Sequence, residues 1–258
     1  MKDALVILFK PFQSYRYCKN KLTAALFACV LVVSPQAFSD DNNTHFVGVA
    51  DSSIQNIGRI ILEEICFTQK LQCDIEMLPA PRAERSMRDG QVSGEIMRVW
   101  RYGEDNPDFI RVPTSYYEIK TAFFTRKDTQ FSITSVADIA ELNVGVLTGV
   151  KHTQNLGLNP KKVFYSATTE KMMDLLNKKR VDVVIASYMD GMATINKRYA
   201  DTLTVQSATI KTQPVYVYIH PNSKELAPII DNAIKTLVKT GKLSTMIADA
   251  EQKVLNES

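Results

Sequence analysis

The sequence predicts an α/β fold in two lobes, each with its own parallel sheet. Strand-like and helix-like patterns alternate from His45 onward, and the alternation restarts near Ala122 after a polar loop. No low-complexity linker separates the two halves. We therefore expect strands, rather than a flexible tether, to join the lobes.

The first half contains three predicted strands and two predicted helices. Apolar residues recur every three or four positions in the first helix, and Pro81 suits the first turn of the second, which Gly90 closes. A polar loop over 102–107 is expected to follow the third strand. The predicted strands are 45–50, 73–78 and 94–99, and the helices are 54–69 and 81–88.

The second half repeats the alternation and ends in two amphipathic helices. Ser135 is expected to cap a short helix, and Thr168 or Thr169 a longer one. The predicted strands are 122–126, 143–147, 162–165, 181–186, 203–205 and 214–219. The predicted helices are 136–142, 170–179, 189–199, 223–239 and 243–254.

The first 39 residues have the composition of a secretory signal peptide. A basic region, Lys10, Arg16, Lys19 and Lys21, precedes a short apolar run over 22–33, and an Ala-x-Ser cleavage site ends at Ser39. The run is short for a membrane span, although a signal anchor is the alternative interpretation. The sequence thus predicts a signal peptide over 1–39, cleavage near Ser39 and a periplasmic mature protein.

Removal of this leader changes the charge of the protein. The full chain has 31 basic and 28 acidic residues, and the leader holds five of the basic and one of the acidic ones. The remainder is therefore close to neutral, with no basic stripe that could neutralise a phosphate backbone. Nucleic acid is excluded as an expected partner.

Two cysteines, Cys66 and Cys73, remain after the leader is removed. They lie at a predicted helix–turn–strand junction in a compartment that permits disulfides, so we expect a bond between them. Two free thiols are the alternative. Without nearby histidines, a metal site at this position is not expected.

The order of elements resembles the family-three periplasmic solute-binding proteins, which have a type II fold. Four segments carry the resemblance: Leu71–Gly94, Ser115–Phe124, Ser135–Gly149 and Lys171–Ile185. The resemblance implies a discontinuous first lobe, 40–117 plus 215–258, and a second lobe over 118–214. The hinges would be Glu118–Thr121 and Thr212–Val215, with the ligand cleft between the lobes.

The resemblance implies an extracytoplasmic protein that captures a small polar or anionic solute by hinge closure. A monomer would then present the solute to an inner-membrane ABC permease. The alternative partner is a membrane sensor protein, to which the chain would signal. Three departures from the family pattern argue against an ordinary amino-acid ligand. Asp51-Ser52-Ser53 stands where the family has an aromatic hairpin, and Arg98-Val99-Trp100-Arg101 stands where it has the loop with the carboxylate-clamping Arg. Ser187 aligns with the family's ammonium-binding Asp.

Nine residues are candidate ligand contacts because they follow strands or begin helices that should face the cleft. They are Asp51, Ser52, Arg82, Arg98, Trp100, Thr148, Gly149, Ser187 and Tyr188. Arg98 could clamp an anionic group or pair internally with Glu95 or Glu84. If it binds the solute, Arg98→Ala abolishes binding without unfolding the protein.

The other candidates also have structural alternatives. Asp51 could cap the next helix, Trp100 and Tyr188 could pack, and Thr148-Gly149 could form an ordinary turn. Arg82 could simply be exposed on a first helical turn. Asp190 could replace the charge missing at Ser187 or be explained by its position near a helix start.

Catalytic signatures are weak in this sequence. After the leader, only three dispersed histidines occur, and no nucleophile elbow, phosphate-binding loop or dinucleotide fingerprint is present. We therefore expect no enzyme activity, no cofactor and no metal. A dehydratase-like activity on the same fold is the remaining alternative.

Overall fold

The computed structural model describes residues 43–148 and 156–257, with the side chains of 43 and 207–210 excluded. One sheet runs through this part of the chain in the strand order β2-β1-β3-β9-β5-β8-β6-β7, and β4 pairs with β9. The strands are β1 Asn43–Val49, β2 Gln72–Leu78, β3 Gly94–Val99, β4 Ile110–Arg111, β5 Tyr117–Arg126, β6 Val144–Leu147, β7 Val163–Ser166, β8 Val183–Ser187 and β9 Leu203–Ile219.

In the described ranges, seven α-helices connect or cover these strands. They are α1 Ser53–Thr68, α2 Ala80–Arg88, α3 Trp100–Asp105, α4 Thr169–Asn177, α5 Tyr188–Thr194, α6 Leu226–Lys239 and α7 Lys242–Asn256. Short 3₁₀ turns cover Val136–Ile139, Pro160–Lys162 and Pro221–Ser223, and a π-helical turn, Ile195–Tyr199, follows α5. Among the described residues, no helix combines the length and apolar composition needed to cross a membrane.

The sheet contains two groups of parallel strands. In the first group β1 pairs with β2 and β3, and in the second β6 pairs with β7 and β8. Two long antiparallel strands, β5 and β9, lie between the groups and pair with each other. Their register shifts around Thr121 and Ala122, where β5 begins to pair with β8 of the second group.

Separate hydrophobic clusters cover the two groups. In the first group, α1, α6 and α7 pack on one face around residues such as Phe46, Ile61 and Ile234, while Met87 and Tyr218 pack on the other. In the second group, one face carries the cluster around Phe124 and the other the cluster around Phe123. Consecutive residues of a strand point to opposite faces, which explains how neighbouring phenylalanines reach different clusters.

Three predicted elements differ from the structure. The predicted loop over 102–107 begins as helix α3 instead, and the strands predicted at 203–205 and 214–219 are parts of the single strand β9. β9 continues through the intervening polar residues because β5 pairs with it on both sides of the register shift. The predicted helix 136–142 is a shorter 3₁₀ turn, with the expected cap at Ser135.

The predicted cysteine pair is bonded in the structure. Cys66 near the end of α1 and Cys73 in β2 form a disulfide, with a Cα–Cα distance of 6.1 Å. The bond closes the tight turn between the helix and the strand.

Candidate functional site

The end of β1 leads directly into helix α1. Asp51 is exposed and has a positive φ of 58°, and Ser52 is the N-cap residue of α1. Ser52 makes no capping bond to its own helix through its side chain. The first backbone N–H groups of α1 therefore need another acceptor.

Asp190, on the first turn of α5, supplies this acceptor. Its Oδ1 accepts hydrogen bonds from the Ser53 amide at 2.5 Å, the Ser52 hydroxyl at 3.2 Å and the Ile54 amide at 3.4 Å. The acceptor and the three donors are separated by more than 130 residues in sequence. A carboxylate at a helix N-terminus also interacts favourably with the helix dipole.

Ser187 holds Asp190 from its own side. This buried N-cap residue of α5 accepts a bond from the Asp190 amide at 3.1 Å and donates its hydroxyl to Oδ2 at 2.6 Å. Burial raises the pKa of the Asp190 carboxyl above its ordinary value, while the hydrogen bonds from Ser187, Ser52, Ser53 and Ile54 oppose that shift.

A pocket of about 430 Å³ lies beside this contact. Its lining combines residues that follow β1 with residues from α4, α5 and the π-helical turn. The described lining residues are Asp51, Ser53, Thr168, Thr169, Glu170, Asp190, Ala193, Thr194, Lys197 and Arg198. Hydroxyls, carboxylates and cations thus all border one half-open space, in which Arg198 forms an ion pair with Glu170.

Arg98 pairs internally, as one of the two sequence interpretations allowed. Its guanidinium contacts the carboxylate of Glu95, whose side chain is completely buried and also accepts the hydroxyl of Tyr102. The Arg98 side chain is 20% exposed, and its buried Nε has no hydrogen-bond partner among the described residues.

Trp100 stacks on a second arginine. The guanidinium carbon of Arg111 lies 3.2 Å from the centre of the Trp100 ring and 5.3 Å from that of Tyr216. Trp100 remains 49% exposed, so it is neither a core residue nor a free stacking platform on both faces.

The sequence matches no protein-family profile and no curated protein, so comparison rests on solved structures. A histidine kinase sensor domain with similarity to periplasmic binding proteins is 16% identical, with a TM-score of 0.68, covering 80% of this chain and 95% of that one. An L-arginine-bound amino acid ABC transporter substrate-binding protein, AbpA of Streptococcus pneumoniae, is 17% identical, with a TM-score of 0.66, covering 84% and 97%.

The BvgS VFT2 domain of Bordetella pertussis is similar to the same degree. It is 14% identical, with a TM-score of 0.66, and the match covers 81% of this chain and 94% of that domain. This chain has the two-lobed periplasmic-binding-protein fold. The fold class predicted from the sequence is therefore confirmed.

The fold places the predicted site residues in three situations. Asp51 lines the pocket, and Ser52 and Ser187 are brought together by Asp190. Arg82, Arg98 and Trp100 are not among the described residues that line it. Arg82 is exposed on α2.

The remaining candidates lie at two strand ends. Thr148 is exposed just after β6, and its amide bonds to Ser166 across the strand pair at 2.9 Å. Tyr188 begins α5 and is 38% exposed. Gly149 lies outside the described residues.

The sequence analysis missed most of the pocket lining. Thr168 and Thr169 were treated only as helix caps, although a cap that follows a parallel strand also faces the cleft. Lys197 and Arg198 follow α5, where the π-helical turn continues the helix, and no residue pattern marked them. Within the described residues, no group of acidic, histidine or cysteine side chains could hold a metal ion.

Proposed function

We propose that this chain is an extracytoplasmic solute-binding protein that captures a small polar or anionic solute between its lobes. The observation that carries this proposal is the pocket between the segment after β1, the N-terminal end of α4, and α5 with the π-helical turn that follows it. In open α/β sheets, ligands bind outside the carboxyl ends of parallel strands, where helix N-termini present free donors.

We assign the lobes as 40–117 with 215–258, and 118–214, with residues 1–39 as a cleaved signal peptide and the periplasm as the location. The separate hydrophobic clusters of the two strand groups support this division. The register shift of β5 and β9 begins just after Thr121, next to the proposed hinge. Closure about that hinge would bring solute groups into contact with both lobes.

The pocket favours a polar solute. Asp51 and Ser53 approach from the first lobe, while Thr168, Thr169 and Lys197 approach from the second. Hydroxyls and a lysine suit an anionic or hydroxylated group. The other candidates, Arg82, Arg98, Trp100, Thr148, Gly149, Ser187 and Tyr188, stay predictions.

The proposal includes no catalytic step and no cofactor. The protein would act as a monomer. An inner-membrane ABC permease is the proposed partner, in line with the AbpA likeness. Signalling to a membrane sensor is the second candidate, supported by the likeness to the histidine kinase sensor domain and to the BvgS domain.

A thermal-shift screen tests solute binding. Protein from the periplasmic fraction, unfolded and refolded to remove bound solute, would be screened against amino acids, dicarboxylates, polyamines, short peptides, nucleosides and phosphonates. A solute at 100 times its Kd adds about 2.7 kcal/mol, which raises Tm by roughly 5–10 °C for a protein of this size.

Two matched variants then locate the binding site. Lys197→Ala in the pocket should reduce the thermal shift given by the active solute. Lys239→Ala, at an exposed position of α6, should leave that shift unchanged. A folded protein that responds to nothing in the panel, or a hit that is equally strong in Lys197→Ala, would count against this pocket as the solute site.

A further inference from the structure

The contact at Asp190 joins the two proposed lobes directly. Asp190 belongs to the second lobe, whereas its donors Ser52, Ser53 and Ile54 belong to the first. Helices α1 and α5 also pack against each other, and the hydrogen bonds between them are partly buried. A charge-assisted hydrogen bond that is even partly removed from water is stronger than one on the surface.

The donors are those that a bound anion would be expected to use. They comprise the first amides of a 16-residue helix and an adjacent hydroxyl, and one donor residue, Ser53, lines the pocket. In this structure the Asp190 carboxylate of the same chain accepts hydrogen bonds from these donors. Ser187 fixes that carboxylate from the opposite side through Oδ2, so its direction does not depend on a solute.

From this geometry we infer that Asp190 is an intramolecular latch, which closes the lobes without a solute and competes with anionic solute groups for the N-terminus of α1. The inference rests on the proposed division into lobes but not on the identity of any solute. A solute with an acidic group must displace Asp190 from these donors or bind elsewhere in the pocket.

Two variants break the latch from opposite lobes. Asp190→Ala removes the acceptor. Ser53→Pro removes the donor of the 2.5 Å bond at the first position of α1, where proline is tolerated. Ser52, which precedes that position, already has the extended backbone that a following proline requires, with φ −133° and ψ 123°. Ser53→Pro therefore keeps the test open if Asp190→Ala fails to fold.

The experiment measures closure in solute-free protein. Small-angle X-ray scattering gives the radius of gyration, and hydrogen exchange followed by NMR reports on the amides of Ser53 and Ile54. Both variants should have a larger radius of gyration than the original protein. The amides that remain should exchange at least about tenfold faster, since they lose a charge-assisted bond.

Sodium formate tests whether the vacated donors accept a carboxylate. In Asp190→Ala, formate should restore a compact form and slow the exchange of Ser53 and Ile54, whereas equal sodium chloride should not. The control Asp249→Ala, an exposed site on α7, should behave as the original protein.

Unchanged radius and exchange in both variants would overturn the latch. If Asp190→Ala is open but formate changes neither its radius of gyration nor its amide exchange, the proposed competition between Asp190 and anionic solutes would be overturned. Neither result depends on solute screening, so the latch and the proposed solute-binding function can fail separately.

Discussion

Arg98→Ala is predicted to destabilise the fold rather than only to abolish solute binding. The substitution would leave the Glu95 carboxylate completely buried, with the Tyr102 hydroxyl as its remaining side-chain partner. Breaking a buried ion pair from one side typically costs about 3–5 kcal/mol, because a charge is left uncompensated. The partial exposure of Arg98 places this case near the lower end, at about 3 kcal/mol.

Urea and thermal unfolding measure this loss. For a protein of this size, about 3 kcal/mol lowers Tm by roughly 6–12 °C. A double-mutant cycle uses the single variants Glu95→Gln and Arg98→Met and the variant that carries both. The double variant should recover much of the stability, because it leaves no buried charge without a partner. The matched control is Arg101→Ala, whose ion pairs are on the surface and should contribute less than about 1 kcal/mol.

A loss of under about 1 kcal/mol in Arg98→Ala would refute this reasoning. Glu95 would then have another route to solvent or to a partner, and Arg98 would again be available as a solute ligand. In the expected case, a binding defect in Arg98→Ala says little about direct contact, because the variant also loses stability.

Three further predictions concern other parts of the fold. Replacing Cys66 and Cys73 by serine should lower the free energy of unfolding by about 2–3 kcal/mol, as expected for a short closed loop. The original protein without its leader, unfolded but not reduced, should show no reactive thiols. Gly191→Ala should lower stability by about 1–3 kcal/mol or more in urea unfolding, because a Cβ there would lie 2.0 Å from the Phe124 ring. The pKa of Asp138 is lowered by hydrogen bonds from backbone and hydroxyl groups at the start of the 3₁₀ turn, so its stabilisation is present above the ordinary pKa and lost as pH falls through the lowered value. Asp138→Asn should therefore be less stable than the original protein at neutral pH and equal to it in strong acid.

The strands and helices were predictable because their signals are local. The predicted strand over 94–99 matches β3 residue for residue, and Thr168 caps α4 as expected. The continuity of β9 was not predictable in this way. Its polar middle, near Lys211, has no strand signal of its own and is held by pairing with a distant strand, β5.

The candidate site was harder to predict for the same reason. Ser52 and Ser187 both lie at helix starts, but nothing local indicated that one carboxylate would bond to both. For Asp190 the sequence left open a replacement for the charge missing at Ser187 or a position near a helix start, whereas three of its bonds reach the start of another helix. For Arg98 the sequence left two partners open, and only packing brings Glu95 against it.

The latch bears on which membrane partner is favoured. A ligand shifts a conformational equilibrium only by its differential affinity for the two states. If Asp190 already closes the lobes, a solute gains little by closing them further, and a partner that reads closure alone would respond to the empty protein. An anionic solute that displaces Asp190 would instead favour opening or a differently closed form. A solute-induced increase in the radius of gyration would therefore support sensing, whereas a decrease from an open empty state would support delivery to a permease.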